Sequence, residues 1–411
     1  MLAAGFAIAS LIFGSAPARA QIAYRVHFKL EKQATLAGEP VFCDFVIRNA
    51  GPTPFIFSYR FPSRAENPNL ESEPNFTITD ARGKTLPDPQ PHFCGGAKGN
   101  VVYGTASLAP GGVHTERWLL TEWASFTRPG IYHVRAERHL PLYALKPGAA
   151  LFSGPPAAYA LALDNLTLRI EPPNPQALLR IFEPYLKALR GPAGPHQSEA
   201  MLVISAAPHS FALGALAEFA ESPAKRGPLR HEALQGLARI GGPDAWRAIL
   251  RVAEGQGAAH EAGKKSSAGP QAFAILLLGE SRDARFVPPL VEMLPHASAE
   301  TRGEILQTLG DFGDPRAAKA LIHYLHSPNA LDRESAILGL KNTGRRDAIP
   351  PLLAMLNDPN PQVRAIANFA LDKLTGHQGS SSSPQAMHWQ AWWRSHDSSF
   401  EPQSPAPCRD W

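Results

Sequence analysis

QAFAILLLGESRDARFVPPLVEML at 271–294, RGEILQTLGDFGDPRAAKALIHYL at 302–325, RESAILGLKNTGRRDAIPPLLAML at 333–356 and the half-copy RAIANFALDKLTG at 364–376 decide the fold. They align without a gap, and their first residues Gln271, Arg302, Arg333 and Arg364 fall 31 residues apart. An earlier copy, RHEALQGLARIGGPDAWRAILRVAE from Arg230, lies one period plus ten residues upstream. A fixed period of this length belongs to arrays of helix pairs, in which each unit buries its apolar face only against its neighbours.

The columns of the alignment support two helices per copy. Ala274 and Leu278 in the first helix match Ile305 and Leu309, then Ala336 and Leu340. Leu290, Leu321 and Leu352 form a second-helix column, with Leu294, Leu325 and Leu356 four residues on, hence on the same face. Gly313-Asp314-Pro315 and Gly344-Arg345-Arg346-Asp347 separate the two helices. Glycine accepts the left-handed conformation that ends a helix, and Asp283, Asp314 and Asp347 are expected to cap the helix that follows.

This register resembles the HEAT repeats of bacterial proteins, including the HEAT-like repeats named after phycobilisome lyases. It combines "R-x-x-A-x-x-x-L" first helices, a Gly-Asp turn and "A-x-x-x-L-x-x-L-L" second helices. The resemblance covers about 197–376 and implies an all-α solenoid that binds other proteins, the bilin-attaching lyases being a minority. Arg302, Arg333 and Arg364 recur at one position. They are candidates for binding an acidic partner, or for pairing with an acid or carbonyl of the adjacent repeat. Trp389, Trp392 and Trp393 fall at i, i+3 and i+4 in WQAWW, as a cap on the last repeat or as a partner anchor.

Upstream the composition changes. At 411 residues the chain exceeds one core. Alternation in IAYRVHFKLE from Ile22 and in EPVFCDFVIRN from Glu39 reads as strands, with others at 55–59, 75–80, 113–121, 130–138 and 159–170. Short strands between Gly and Pro turns imply two packed antiparallel sheets. LAGEPVFCDFVIRNAG, SLAPGG and WASFTRPGIYHVRAE resemble the immunoglobulin-like domains of exported bacterial proteins, over roughly 22–171. The expected organisation is a signal peptide at 1–20, a β-sandwich at 21–171 and a Pro-rich hinge with an entry helix at 172–196. An α-solenoid at 197–376, a Trp-rich capping helix at 377–400 and a disordered tail at 401–411 complete it.

MLAAGFAIASLIFGSAPARA carries an apolar run ending in Ala18-Arg19-Ala20, the small-x-small pattern of a signal peptide. Export to the periplasm or beyond the cell is expected, with cleavage before Gln21, the alternative being a retained anchor. No later run is long and apolar enough to span a bilayer. An oxidising compartment makes a Cys43 to Cys94 disulfide a candidate. Such a bridge contributes ~4 kcal/mol by loop entropy. Cys408 is left over in the tail.

Forty basic and 36 acidic residues give a formal charge of +4 with no basic stripe, which argues against nucleic acid as a partner. His92, Cys94, His114, His133 and His139 lack metal-ligand spacing. Neither a nucleophile elbow nor a phosphate loop is present, and GKKSS at Gly263 lacks the leading glycine of one. The reading is a non-enzymatic exported scaffold, with no cofactor, that binds another protein through its repeats. The runner-up places metal-dependent or glycan-binding activity in the sandwich loops, around His92 and Cys94 or on Tyr59, Phe61 and Tyr103. Bilin-lyase activity is not expected of an exported chain.

Overall fold

In the computed structural model the described residues are 22–60, 73–89, 103–145, 152, 155–207, 209–222, 227–255, 269–376 and 385–396. The signal segment, Cys94, Cys408, most of the 255–269 insertion and the tail lie outside them. The chain divides into two compact units, one ending at Pro173 and the other running from Asn174.

The first unit is all β. Its strands are β1 (Tyr24–Leu30), β2 (Ala34–Leu36), β3 (Phe42–Asn49), β4 (Phe55–Arg60), β5 (Asn75–Asp80), β6 (Tyr103–Leu108), β7 (Val113–Leu119), β8 (Gly130–Ala144) and β9 (Ala158–Glu171). Strands β1, β3 and β7 form an antiparallel three-stranded sheet, with Phe28 opposite Phe45 and Phe45 opposite Glu116. A six-stranded sheet runs β2-β9-β8-β4-β6, and β5 pairs with β8. The inward residues of both sheets merge into one core. Phe28 of the smaller sheet meets Phe76 of the larger edge to face at 5.6 Å.

The alternating segments all lie on strands, but three features escaped the pattern. Strand β2 has three residues and pairs parallel to β9, so it is too short to show a period. Strand β6 starts at Tyr103, where the sequence reads as loop. Strand β8 continues past Arg138 to Ala144, through Pro141. A proline lacks the donor for a ladder. Pro141 falls where β8 has left β5, whose pairing ends at Glu137, and has not reached β4, whose pairing starts at Tyr143.

The second unit opens with α1 (Pro175–Arg190), capped by the Asn174 side chain, which accepts from Ala177 N. Two irregular pairs follow, α2 (Pro195–Ala206) with α3 (Leu213–Glu221), and α4 (Gly227–Ile240) with α5 (Gly242–Ala253). The regular pairs are α6 (Pro270–Glu280) with α7 (Val287–Met293), α8 (Ala299–Asp311) with α9 (Pro315–Tyr324), and α10 (Ala330–Asn342) with α11 (Ile349–Met355). A lone first helix α12 (Pro361–Thr375) and then α13 (Gln385–His396) end the array. The columns Leu290, Leu321, Leu352 and Ala274, Ile305, Ala336 are fully buried, which is why the period was visible.

First helices stack on first helices, and α8 meets α10 through backbone. A Cβ on Gly310 would collide with the carbonyl oxygen of Gly339, and one on Gly339 with that of Leu306. The first helices α4, α6, α8 and α10 each end in a left-handed residue. Gly241 (φ 65°), Gly313 (φ 59°) and Gly344 (φ 59°) hold that place, and in the α6 copy Arg282 (φ 51°) stands in glycine's column. An L-residue there is strained by about 1–2 kcal/mol.

Candidate binding surface of the repeat array

The recurring arginines point into the array. Arg302 Nε donates to Asp332 Oδ1 at 3.0 Å and its Nη1 to the Ala297 carbonyl at 2.9 Å. Arg333 grips both oxygens of Asp358, at 2.8 and 2.9 Å, and the Ser327 carbonyl at 2.9 Å. These side chains are only 12% and 4% exposed, so the pair is a buried clasp between consecutive repeats. Hydrogen bonding to Arg333 holds the Asp358 carboxyl below its ordinary range. Among the described residues Arg364 reaches only carbonyls, of Asp358 at 2.8 Å and Pro359 at 3.1 Å. The acid does not keep one column. Asp332 directly precedes Arg333, whereas Asp358 falls one period after Ser327, whose hydroxyl donates to Asp332 at 2.8 Å. Alignment therefore shows the arginines and hides their partners.

Charges in the turns are also engaged locally. Asp283 and Asp314 accept from the backbone N–H of Arg285 and Arg316 and pair with those side chains. Asp347 does not cap. One period after Asp314 stands Arg345, so the pair is inverted, and Asp347 accepts from Arg345 Nη2 at 2.7 Å. The bridging to the preceding turn survives the exchange, since Arg316 Nη2 donates to Ala284 O at 3.0 Å and Arg345 Nη1 reaches Gly313 O at 3.5 Å.

The outward side of the first helices is different, and the sequence reading passed over it. Leu276, Gln307, Leu338 and Phe369 form one column at the 31-residue period, three of them half-buried and Gln307 exposed. Glu280, Asp311, Asn342 and Lys373 form the next, one helical turn on. Burial, and then the neighbouring Asp311, pushes Glu280 up to about 8. Its Oε1 is buried with no hydrogen-bond partner among the described residues. Asp311 is raised to about 6 by burial, although Asn342 Nδ2 donates to it at 3.0 Å and Arg282 and Lys341 oppose the rise. Burial and then Glu300 raise Glu304 on the same helix as Asp311. Toward the other end, Lys341 and Lys373 flank the Phe369 ring at 5.5 and 5.8 Å from its centroid. In the earlier copy Arg239 occupies this column and donates to the Ser205 carbonyl at 2.9 Å. The available signal was a periodic column whose members are polar and unlike one another.

At the array's end Trp389 is fully buried, and its Nε1 donates to Asn368 Oδ1 at 2.8 Å, tying α13 to α12. Trp392 and Trp393 are half-buried. The Arg346 guanidinium lies 5.7 Å from the Trp393 ring, and Trp392 stacks on His396 at 4.7 Å. The aromatic stripe thus packs as a cap.

In the first unit Cys43 is a free thiol, 0% exposed in the core, and burial pushes it up to about 12. Its proposed partner Cys94 lies outside the described residues, as does His92. His133 and His139 are exposed on β8. His114 turns inward beside Tyr59, 4.8 Å between ring centroids. Among the described residues no group of three His, Cys, Asp or Glu side chains has metal-binding geometry. Phe61 and the Tyr103 side chain lie outside the described residues. A feature without any sequence signal is the ion pair between Arg138 Nη1 of β8 and Glu116 Oε1 of β7, 2.9 Å apart and 0% and 5% exposed. It links the two sheets, with the guanidinium over the Phe45 ring at 4.4 Å.

The family model described as HEAT repeats matches residues 260–341 and 319–386. No curated protein matches the chain significantly. Among solved structures, the chain is similar to the CpcE–CpcF complex of phycocyanin lyase from Nostoc. The identity is 18%, over 53% of this chain and 82% of that one, with a TM-score of 0.28. A designed armadillo repeat protein is 14% identical over 46% and 98% of the two chains, at 0.27. Human deoxyhypusine hydroxylase is 20% identical over 56% and 86%, at 0.22.

Proposed function

We propose that this HEAT-repeat chain is a non-enzymatic scaffold that binds another protein along the outward face of its first helices. One observation carries the reading. Most charged groups in the turns and between repeats are engaged within the array, whereas Leu276, Leu338 and Phe369 are half-buried at one repeating position and the Oε1 of Glu280, one helical turn on, is buried with no hydrogen-bond partner among the described residues. Half-buried apolar groups interleaved with partly desolvated charges are what a protein interface presents before its partner arrives. Residues 1–20 support export to the periplasm or beyond the cell, and an immunoglobulin-like arrangement suits the first unit. Its parallel β2–β9 pairing and shared core are compatible with that arrangement. Among the described residues no helix is long and apolar enough to cross a membrane.

A photo-crosslinking residue at Gln307, on this face, and another at Lys319, exposed on α9, test the reading in the full chain. Adducts with one identifiable protein from position 307 and none from 319 are expected. Equal adducts from both positions, or none from 307, would overturn it.

A further inference from the structure

The outer face of the three-stranded sheet β1-β3-β7 carries cations in two different situations. At one end they are paired. Lys29 Nζ lies 3.6 Å from Asp44 Oδ2, and Arg117, whose guanidinium sits 3.5 Å over the Phe42 ring, donates to Glu31 Oε2 at 2.7 Å. At the other end Arg25 of β1 stands directly opposite Arg48 of β3. Opposed residues of an antiparallel pair have Cα atoms about 4.5–5.5 Å apart, and like charges so placed are destabilising. Both arginines are exposed, and neither guanidinium has a hydrogen-bond or ion-pair partner among the described residues. Apolar and neutral groups surround them. Arg48 is opposite Val113 of β7, which is 54% exposed, and half-buried Val46 lies between His27 and Thr115.

We propose that this face is a second docking surface, separate from the repeat array, for an acidic segment of another protein. An Asp or Glu carboxylate of that segment bridges Arg25 and Arg48, and the apolar side chains beside it rest on Val46 and Val113. Three features favour this occupant. A carboxylate matches the planar fork of a guanidinium, and one that bridges two of them removes the repulsion that the chain carries alone. Among the described residues of this face only Arg25 and Arg48 are permanently charged and unpaired, because Lys29 and Arg117 already have their acids. Two cations hold a single carboxylate, whereas a polyanion or an anionic membrane is held by a longer row of them. The valines, finally, offer apolar contact that a free inorganic anion does not use.

The test uses a labelled, C-terminally amidated peptide in which glycines flank Val-Glu-Val, with Val-Gln-Val as its neutral counterpart. Anisotropy titration on the full chain is expected to show the Glu peptide binding about fivefold tighter, from two exposed ion pairs. Arg25→Glu should abolish that difference and raise the melting temperature of the β unit by about 1–2 °C, since an ion pair with Arg48 replaces a repulsion. Lost binding with gained stability is a combination that damage to the fold does not produce. Lys29→Gln should leave the difference intact. Equal affinity for the two peptides overturns the proposal, as does a preference that survives Arg25→Glu or vanishes with Lys29→Gln. A lower melting temperature in Arg25→Glu would remove its premise that the two arginines repel. Inorganic phosphate that displaces the Glu peptide as well as the unlabelled peptide does would make this a small-anion site and overturn the proposal too. Sedimentation of the wild type as a dimer that Arg25→Glu dissolves would assign the face to a second copy, against the proposal. None of these results bears on the Gln307 crosslink, which tests a surface of the other unit.

Discussion

Two charge rows run along the same array with the same period, and they behave in opposite ways. The arginine row, Arg302, Arg333 and Arg364, is nearly constant in sequence and is consumed by carbonyls and carboxylates within the array. The first-helix row, Glu280, Asp311, Asn342 and Lys373, changes chemistry at every step, and although Asn342 donates to Asp311, the Glu280 Oε1 is buried without a partner among the described residues. Constancy within a repeat reports what stacking needs, because each interface must solve one geometric problem. Variation at a half-buried periodic position reports what stacking leaves over.

Removing one member of the most buried clasp tests the contrast most severely. Arg333→Ala leaves Asp358 buried without its bidentate partner, and a loss of about 3–5 kcal/mol in urea unfolding is expected. Arg364→Ala removes bonds to two carbonyls only, and about 1 kcal/mol is expected. Similar losses for the two would mean that carboxylate pairing is not what distinguishes the clasp.

A smaller effect is expected where the array departs from its own rule. Arg282→Gly restores glycine to the left-handed column, and a gain of about 0.5–1 kcal/mol is expected after the added freedom of the unfolded chain is subtracted. A loss in thermal or urea unfolding would show that the Arg282 side chain contributes more than its backbone strain removes.

A separate effect concerns pH. Glu280 moves from an ordinary 4.5 to about 8 in the folded chain. The folded state therefore holds more protons than the unfolded one between those values, and stability falls as pH rises through that window. Glu280→Gln should flatten the melting temperature between pH 5 and pH 8 and raise it most at the upper end. Parallel wild-type and variant curves would remove the claim that this carboxyl is held protonated by its surroundings.

Much of the fold was legible because its determinants are local and repeated. Leucine columns, Gly turns and alternating strands are visible wherever one face is buried at a constant interval. The candidate surface was only half legible. Arg302, Arg333 and Arg364 drew attention as recurring charges, yet their acids come from non-equivalent positions, Asp332 and Asp358, that alignment does not connect. Glu280 and Lys373 share a column, but as single residues an acid near a helix end and a lysine near another look like ordinary solvated charges. Arg138 and Glu116 lie on separate strands, and no period relates them.

The sequence by itself determined that a β-rich segment precedes an array of helix pairs with a 31-residue period, because hydrophobic periodicity and turn chemistry act within a few residues along the chain. Only the tertiary structure decided which charges are occupied and which remain open. That outcome depends on how closely neighbouring repeats approach, here backbone against backbone at Gly310 and Gly339, and on which carboxylates the approach strips of water.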